Sequence, residues 1–127
     1  MTAFAVSPLR TELAHNPGYS VLSLIGDLNA ATALELRTQI DALTAAGSAR
    51  VVLDLTGLRY ATTRGLYALV ETHRTCRDAG VDLALAEPQP LVATALLLTD
   101  VADEIACYDT VHAAGTADPD QLRRPGL

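Results

Sequence analysis

The chain of 127 residues is half hydrophobic, and its nine basic residues, all of them arginine, are outnumbered by fifteen acidic ones, which leaves a net charge of -6. This length predicts one domain with a substantial core, and the acidic balance argues against nucleic-acid binding, which needs a clustered basic surface. The sequence contains no run of about 18 apolar residues, so we expect no membrane span. Its first residues lack the basic segment and the apolar segment of a signal peptide, so we expect a cytoplasmic location.

The first predicted elements form a β-hairpin. Residues 9–14 and 20–25 are strand-like, and the chain breakers Asn-Pro-Gly at 16–18 predict the turn between them. Residues 1–8 are expected to be a flexible N-terminus that precedes the domain.

A helix is predicted to follow, with Asn29 as its N-cap, because an asparagine side chain can satisfy the free amides at a helix start. Gly47 is expected to end this helix, since glycine readily adopts the left-handed conformation that often follows a helix. The apolar residues in between recur at helical spacing and form a buried stripe, Ala33, Leu36, Ile40 and Leu43.

The most informative segment, residues 51–70, begins with a nearly continuous aliphatic run over 51–55, which is typical of a strand buried on both faces. Apolar residues then recur at helical spacing over 64–78, so a second helix is predicted there. The turn between the two carries adjacent hydroxyl side chains, which places Thr62 and Thr63 at the helix N-terminus.

The last third of the chain continues this alternation. Residues 81–86 form a predicted strand, a helix starts near Pro90, residues 105–108 form a short edge strand, and 110–114 form a final turn or helix. The polar, turn-rich residues 116–127 are predicted to be a disordered tail. The whole pattern predicts an α/β fold, a single domain with a mixed, mostly parallel sheet of four to five strands packed with about four helices.

The two threonines have two competing explanations. A hydroxyl at a helix start caps free backbone amides, and this role alone would explain either residue. The same position suits a phosphate, because the helix dipole presents its positive end there. Phosphorylation of Thr63 or Thr62 is the sharper hypothesis, and the sequence leaves both explanations open.

Signatures of catalysis and of metal binding do not occur in the sequence. Its eight glycines form no phosphate-binding loop, lysine is absent, and there is no Gly-x-Ser-x-Gly nucleophile turn. His73 and Cys76 are three residues apart, but two ligands do not define a metal site, and Cys76 and Cys107 are expected to be buried free thiols. We therefore predict no catalytic residues, no cofactor and no metal.

Three segments resemble the STAS domain family of bacterial anti-sigma factor antagonists, over roughly residues 9–115. Residues 60–66, YATTRGL, correspond to the family's aromatic, small apolar residue, Asp, Ser, Ser or Thr, Gly and Leu between a strand and a helix. Residues 26–33, GDLNAATA, match a Gly-acid-Leu-Asp loop, and the helix at Pro90 with the chain up to Ile105 matches a third element.

In that family, the first serine after the aspartate is phosphorylated by a partner that is both a kinase and an anti-sigma factor, and the unphosphorylated form binds this partner. Thr63 occupies that place here. Thr62 and Asn29 replace two family acids, and Arg64 replaces a small hydroxyl residue, so negative charge is lost and positive charge is gained. A partner that recognises this surface by charge should have an altered preference.

The resemblance implies a regulator that binds a kinase-like anti-sigma factor and is switched by phosphorylation of Thr63. The alternative is a STAS interaction module that is not phosphorylated and binds a partner constitutively or within a signalling assembly. The residues expected at the partner surface lie in the two loops and at the helix start: Asp27, Asn29, Thr62, Thr63, Arg64, Gly65 and Tyr67. A homodimer also stays open.

Overall fold

A computed structural model describes residues 9–123, and the predicted flexible N-terminus, residues 1–8, lies outside this range. Within the described range, seven strands form one mixed sheet: β1 (Arg10–Asn16), β2 (Tyr19–Leu28), β3 (Arg50–Asp54), β4 (Leu58–Ala61), β5 (Asp82–Ala86), β6 (Cys107–Tyr108) and β7 (Leu122–Arg123). The same residues contain five α-helices: α1 (Ala30–Ala45), α2 (Thr63–Asp78), α3 (Pro90–Leu98), α4 (Val101–Glu104) and α5 (Val111–Thr116).

The long strand β2 organises the sheet. It is antiparallel to β1, and its first half pairs in parallel with β3. Its second half extends past the end of β3 and pairs in parallel with β4, with Leu28 opposite Ala61. On the other side of β3 the sheet continues through the parallel strands β5 and β6 to the antiparallel strand β7. Because β2 and β4 end together, the loops that follow them lie side by side.

The central strands are buried on both faces, because their side chains point alternately to opposite sides of the sheet and each side is covered by a buried apolar cluster. Leu53 and Leu85 belong to the larger core, which includes residues of α1, α2, α3 and α4. Val52 and Ala84 belong to the smaller core beneath α5. Small side chains allow α5 to pack closely on this second face, namely Ala84, Ala86, Ala113 and Ala114.

The predicted α/β fold is confirmed, but the predicted numbers of strands and helices are wrong. The short strand β4 gives little sequence signal, because its two middle residues, Arg59 and Tyr60, are both exposed. β6 is not an edge strand, since its Cys107 pairs with Arg123 of β7. The additional helix α4 arises because Asp100, which has a φ of 61°, interrupts the apolar segment after α3.

The structure describes secondary structure in the predicted tail, residues 116–127, as far as Arg123, and the four residues after it lie outside the described range. The amide of Asp109 donates to the Gln121 carbonyl at 2.9 Å, and the Arg123 guanidinium pairs with the Asp109 carboxylate at 2.7 Å. This segment is therefore held by backbone hydrogen bonds and an ion pair, neither of which requires an apolar sequence.

Candidate partner-binding site

The two loops that stand out in the sequence meet at one end of the sheet. β2 ends at Leu28 and β4 ends at Ala61, and these residues are partners in the parallel ladder. The amide of Thr62 then donates to the Leu28 carbonyl at 2.9 Å, which joins the loop before α2 to the loop before α1. Both helices consequently begin at the same end of the sheet, with their N-termini close together.

Asn29 caps α1, as predicted. Its side-chain oxygen accepts hydrogen bonds from the amides of Ala31 and Thr32, both at 3.0 Å. The Thr32 hydroxyl accepts in turn from the Asn29 amide at 2.9 Å, which completes a capping box. An aspartate could accept the same two bonds, so asparagine preserves the helix start without contributing a negative charge.

Thr62 and Thr63 have different roles in the structure, a distinction that the sequence leaves open. Thr62 is half-buried and is the N-cap of α2, where its hydroxyl accepts from the Gly65 amide at 3.1 Å. Thr63 is the first residue of α2, its side chain is exposed, and its hydroxyl forms no hydrogen bond with any of residues 9–123. Thr63 therefore carries the accessible hydroxyl, and Thr62 carries the structural one.

Replacement of Thr62 by alanine is expected to lower the free energy of unfolding by about 1 kcal/mol, because the Gly65 amide would lose its acceptor. Thr63→Ala should change this free energy by less than about 0.5 kcal/mol, because an exposed, unbonded side chain contributes little. Urea denaturation followed by circular dichroism measures both values. Equal losses for the two variants would contradict the assignment of the cap to Thr62.

Gly65 is buried beneath this surface. A Cβ atom at this position would lie 2.7 Å from the carbonyl oxygen of Leu28 and 3.0 Å from the amide nitrogen of Asn29. Only glycine therefore allows the first turn of α2 to approach the end of β2 so closely. Gly65, which was predicted at the partner surface, sets the spacing between the two loops and offers no side chain to a partner.

A shallow depression of about 440 Å³ lies between the two helix starts. It is lined by six residues, which we call the Thr63 surface: Asn29, Ala30, Ala31, Thr62, Thr63 and Arg64. The sequence did not single out Ala30 and Ala31, whose small side chains keep the depression open. Arg64 is exposed, and its guanidinium has no ion-pair partner among residues 9–123.

Four further side chains border the Thr63 surface. Asp27 is partly buried, and its carboxylate lies 3.5 Å from the guanidinium of Arg59. Tyr60 is the ladder partner of Asp27 and is 51% exposed, and Tyr67, one helical turn from Thr63, is 54% exposed. Nothing in the sequence indicated Arg59, because its pairing with Asp27 depends on the register of β4 beside β2.

Among residues 9–123, no group of three or more His, Cys, Asp or Glu side chains is placed to hold a metal ion. Cys76 and Cys107 are buried free thiols, and burial raises the pKa of Cys76 and raises that of Cys107 to about 11. Burial therefore disfavours the thiolate of both residues, which is the nucleophilic form.

None of the helices in the described part of the chain combines the length and the apolar composition needed to cross a membrane.

The chain is similar to known proteins in sequence pattern and in fold. The family model described as STAS domain matches residues 10–114. Similar solved structures include an anti-sigma factor antagonist from Mycobacterium paratuberculosis, with 25% identity, coverage of 89% of this chain and 96% of that one, and a TM-score of 0.74. The Thermotoga maritima protein TM1081 has 20% identity, coverage of 84% of this chain and 92% of that one, and a TM-score of 0.76.

A third similar structure is the Bacillus cell fate determinant SpoIIAA in its phosphorylated form. It has 14% identity, coverage of 85% of this chain and 99% of that one, and a TM-score of 0.61. No curated protein matches the chain in sequence.

Proposed function

The chain belongs to the STAS domain family, and from this membership we propose that it is an anti-sigma factor antagonist-like regulator that binds a kinase-like anti-sigma partner in the cytoplasm. The Thr63 surface is the centre of the contact, with Asp27 and Tyr67 at its border. The protein acts by binding and not by catalysis, and phosphorylation of Thr63 releases the partner.

The observation that carries this proposal is the environment of the Thr63 hydroxyl. This hydroxyl is exposed, makes no hydrogen bond within residues 9–123, and lies in the depression between two helix starts. A kinase can therefore reach it without breaking a structural contact, whereas phosphorylation of Thr62 would remove the cap of α2. SpoIIAA, which shares the fold, is described in a phosphorylated form, and this supports a phosphoacceptor in the present chain.

Phosphorylation of Thr63 acts through charge and volume. A phosphate adds about two negative charges at pH 7 and three strong hydrogen-bond acceptors. Placed in a shallow depression that is lined by short side chains and by Arg64, it would displace any partner group that fits the neutral surface. The neutral form is therefore the binding-competent form.

Partner binding by two variants tests the switch. Thr63→Asp is expected to raise the Kd for the partner recovered from an extract of the native host about tenfold or more, and Thr63→Ala should keep it within about threefold, because only aspartate adds charge. Thr38→Asp is the matched control, since Thr38 is an exposed threonine of α1 that lies by β1, outside the Thr63 surface. Equal affinities of the two Thr63 variants would contradict the proposed phosphorylation switch.

A second candidate is a constitutive interaction module of the same family. Asn29 and Thr62 favour it, because they retain both helix caps while the acidic groups expected at these places are missing. Such a module would bind its partner without modification of Thr63. Incubation with the recovered partner and ATP separates the two candidates: stoichiometric phosphothreonine at Thr63, found by mass spectrometry, supports the switch, and a persistently unmodified Thr63 supports the module.

A further inference from the structure

We infer that Arg64 is the specificity-determining residue of the Thr63 surface, and that it selects a partner protein which presents a carboxylate side chain to the depression. This inference rests on the proposed function, because it concerns the partner of the same surface. It adds the chemistry of the partner group and the residue that recognises it.

The first support is the local charge. The Thr63 surface and its border contain three charged side chains, Asp27, Arg59 and Arg64. Asp27 is already paired with Arg59 at 3.5 Å, whereas Arg64 has no ion-pair partner among residues 9–123. The local charge is therefore positive, on a protein whose net charge is -6. An acidic partner group is attracted to this place, while the remaining surface disfavours it.

The second support is the chemistry of the neighbouring side chains. The side-chain oxygen of Asn29 is engaged by the amides of Ala31 and Thr32, and the Thr62 hydroxyl is engaged by the Gly65 amide. Neither residue brings a carboxylate into the depression that could neutralise Arg64. A guanidinium presents donors in a planar fork that matches the two oxygens of a carboxylate, so it can bind such a group in a bidentate manner.

The third support is space. The other side chains that line the depression are short, and the volume of about 440 Å³ leaves room for an aspartate or glutamate side chain of a partner. Thr63 lies next to Arg64 in the same first turn of α2. Because both side chains line the same depression, a carboxylate that Arg64 binds there shares the depression with the Thr63 side chain.

This arrangement explains how phosphorylation would exclude such a partner. A phosphate on Thr63 adds about two negative charges, which reverses the sign of the local charge. The guanidinium would then be attracted to the phosphate, and the carboxylate of the partner would meet repulsion in place of an ion pair. In this arrangement Arg64 binds the carboxylate of the partner, and phosphorylation of Thr63 abolishes that binding.

The test uses the full chain and the partner recovered with the wild-type protein. Arg64→Glu is expected to raise the Kd about tenfold or more at low ionic strength, and Arg64→Gln is expected to raise it by a smaller factor. The loss should shrink in about 0.5 M NaCl, because salt screens the interaction. Arg37→Glu is the matched control, since Arg37 is an exposed arginine of α1 outside the Thr63 surface, and it should leave the Kd within about twofold.

A charge-reversal scan of the partner completes the test. An Asp→Arg or Glu→Arg change on the partner should restore binding to Arg64→Glu and would identify the carboxylate. Unchanged or tighter binding by Arg64→Glu, together with weaker binding by Thr63→Asp, would overturn this inference and leave the proposed function standing. If the chain binds no kinase-like or anti-sigma protein, the proposed function fails and the inference fails with it.

Discussion

Gly65→Ala is expected to lower the free energy of unfolding by about 2 kcal/mol, although alanine is the better helix former. Gly65 is in the first turn of α2 and has no positive φ, so helix propensity alone predicts that alanine stabilises the protein by up to about 1 kcal/mol. The added Cβ atom, however, would lie 2.7 Å from the Leu28 carbonyl oxygen. Because this neighbour is backbone, α2 has to move away from β2.

The experiment compares two glycine positions by urea denaturation. Gly80 has a φ of 80°, and no atom lies within 4 Å of the place that a Cβ atom would occupy there, so Gly80→Ala reports backbone strain without a steric clash. Gly65→Ala should be the more destabilising change, and it should also weaken partner binding, because the Thr63 surface depends on the distance between the two loops. A Gly65→Ala protein that is more stable than wild type would show that helix propensity outweighs the contact.

Leu66→Ala should cost about 3 kcal/mol of stability, whereas Tyr67→Ala, one residue further along α2, should cost less than about 0.5 kcal/mol. Leu66 is 1% exposed and belongs to the larger core, so its truncation leaves a cavity. Tyr67 is 54% exposed, so its truncation leaves no enclosed cavity in the core. Adjacent residues of α2 therefore differ in role, since Leu66 packs in the core and Tyr67 is exposed.

For partner binding we expect the opposite ranking, with Tyr67→Ala more damaging than Leu66→Ala. Tyr67→Ala is expected to raise the Kd about tenfold, because exposed tyrosines beside a contact surface often become buried anchors on binding. Leu66→Ala should bind normally at temperatures where it remains folded. Calorimetric titration in the cold, at about 10 °C, where the destabilised variant is best populated in its folded form, measures both affinities. Loss of stability without loss of binding for Tyr67→Ala would assign this residue to the fold and not to the interface.

Local sequence pattern predicted the elements that carry their own signal. Asn29 before an apolar stripe predicted the start of α1, and the aliphatic run at 51–55 predicted β3 to within one residue at each end. The segment YATTRGL, the loop at 26–33 and the element from Pro90 to Ile105 together indicated the STAS family that the family model confirms. Each of these features depends on residues adjacent in the chain or on the regular spacing of one helix or strand.

Only the tertiary structure revealed the features that depend on pairing between strands far apart in the sequence. β4 exists because residues 58–61 align with the second half of β2, and β7 exists because Arg123 returns to Cys107. The same β2 and β4 pairing joins the two motifs into one surface and leaves Thr62 as the cap and Thr63 exposed. Backbone hydrogen bonds between strands are the same for every residue type except proline, so short strands leave no periodic record in the sequence. Local sequence pattern therefore determined the core and the helices, and strand register determined the site.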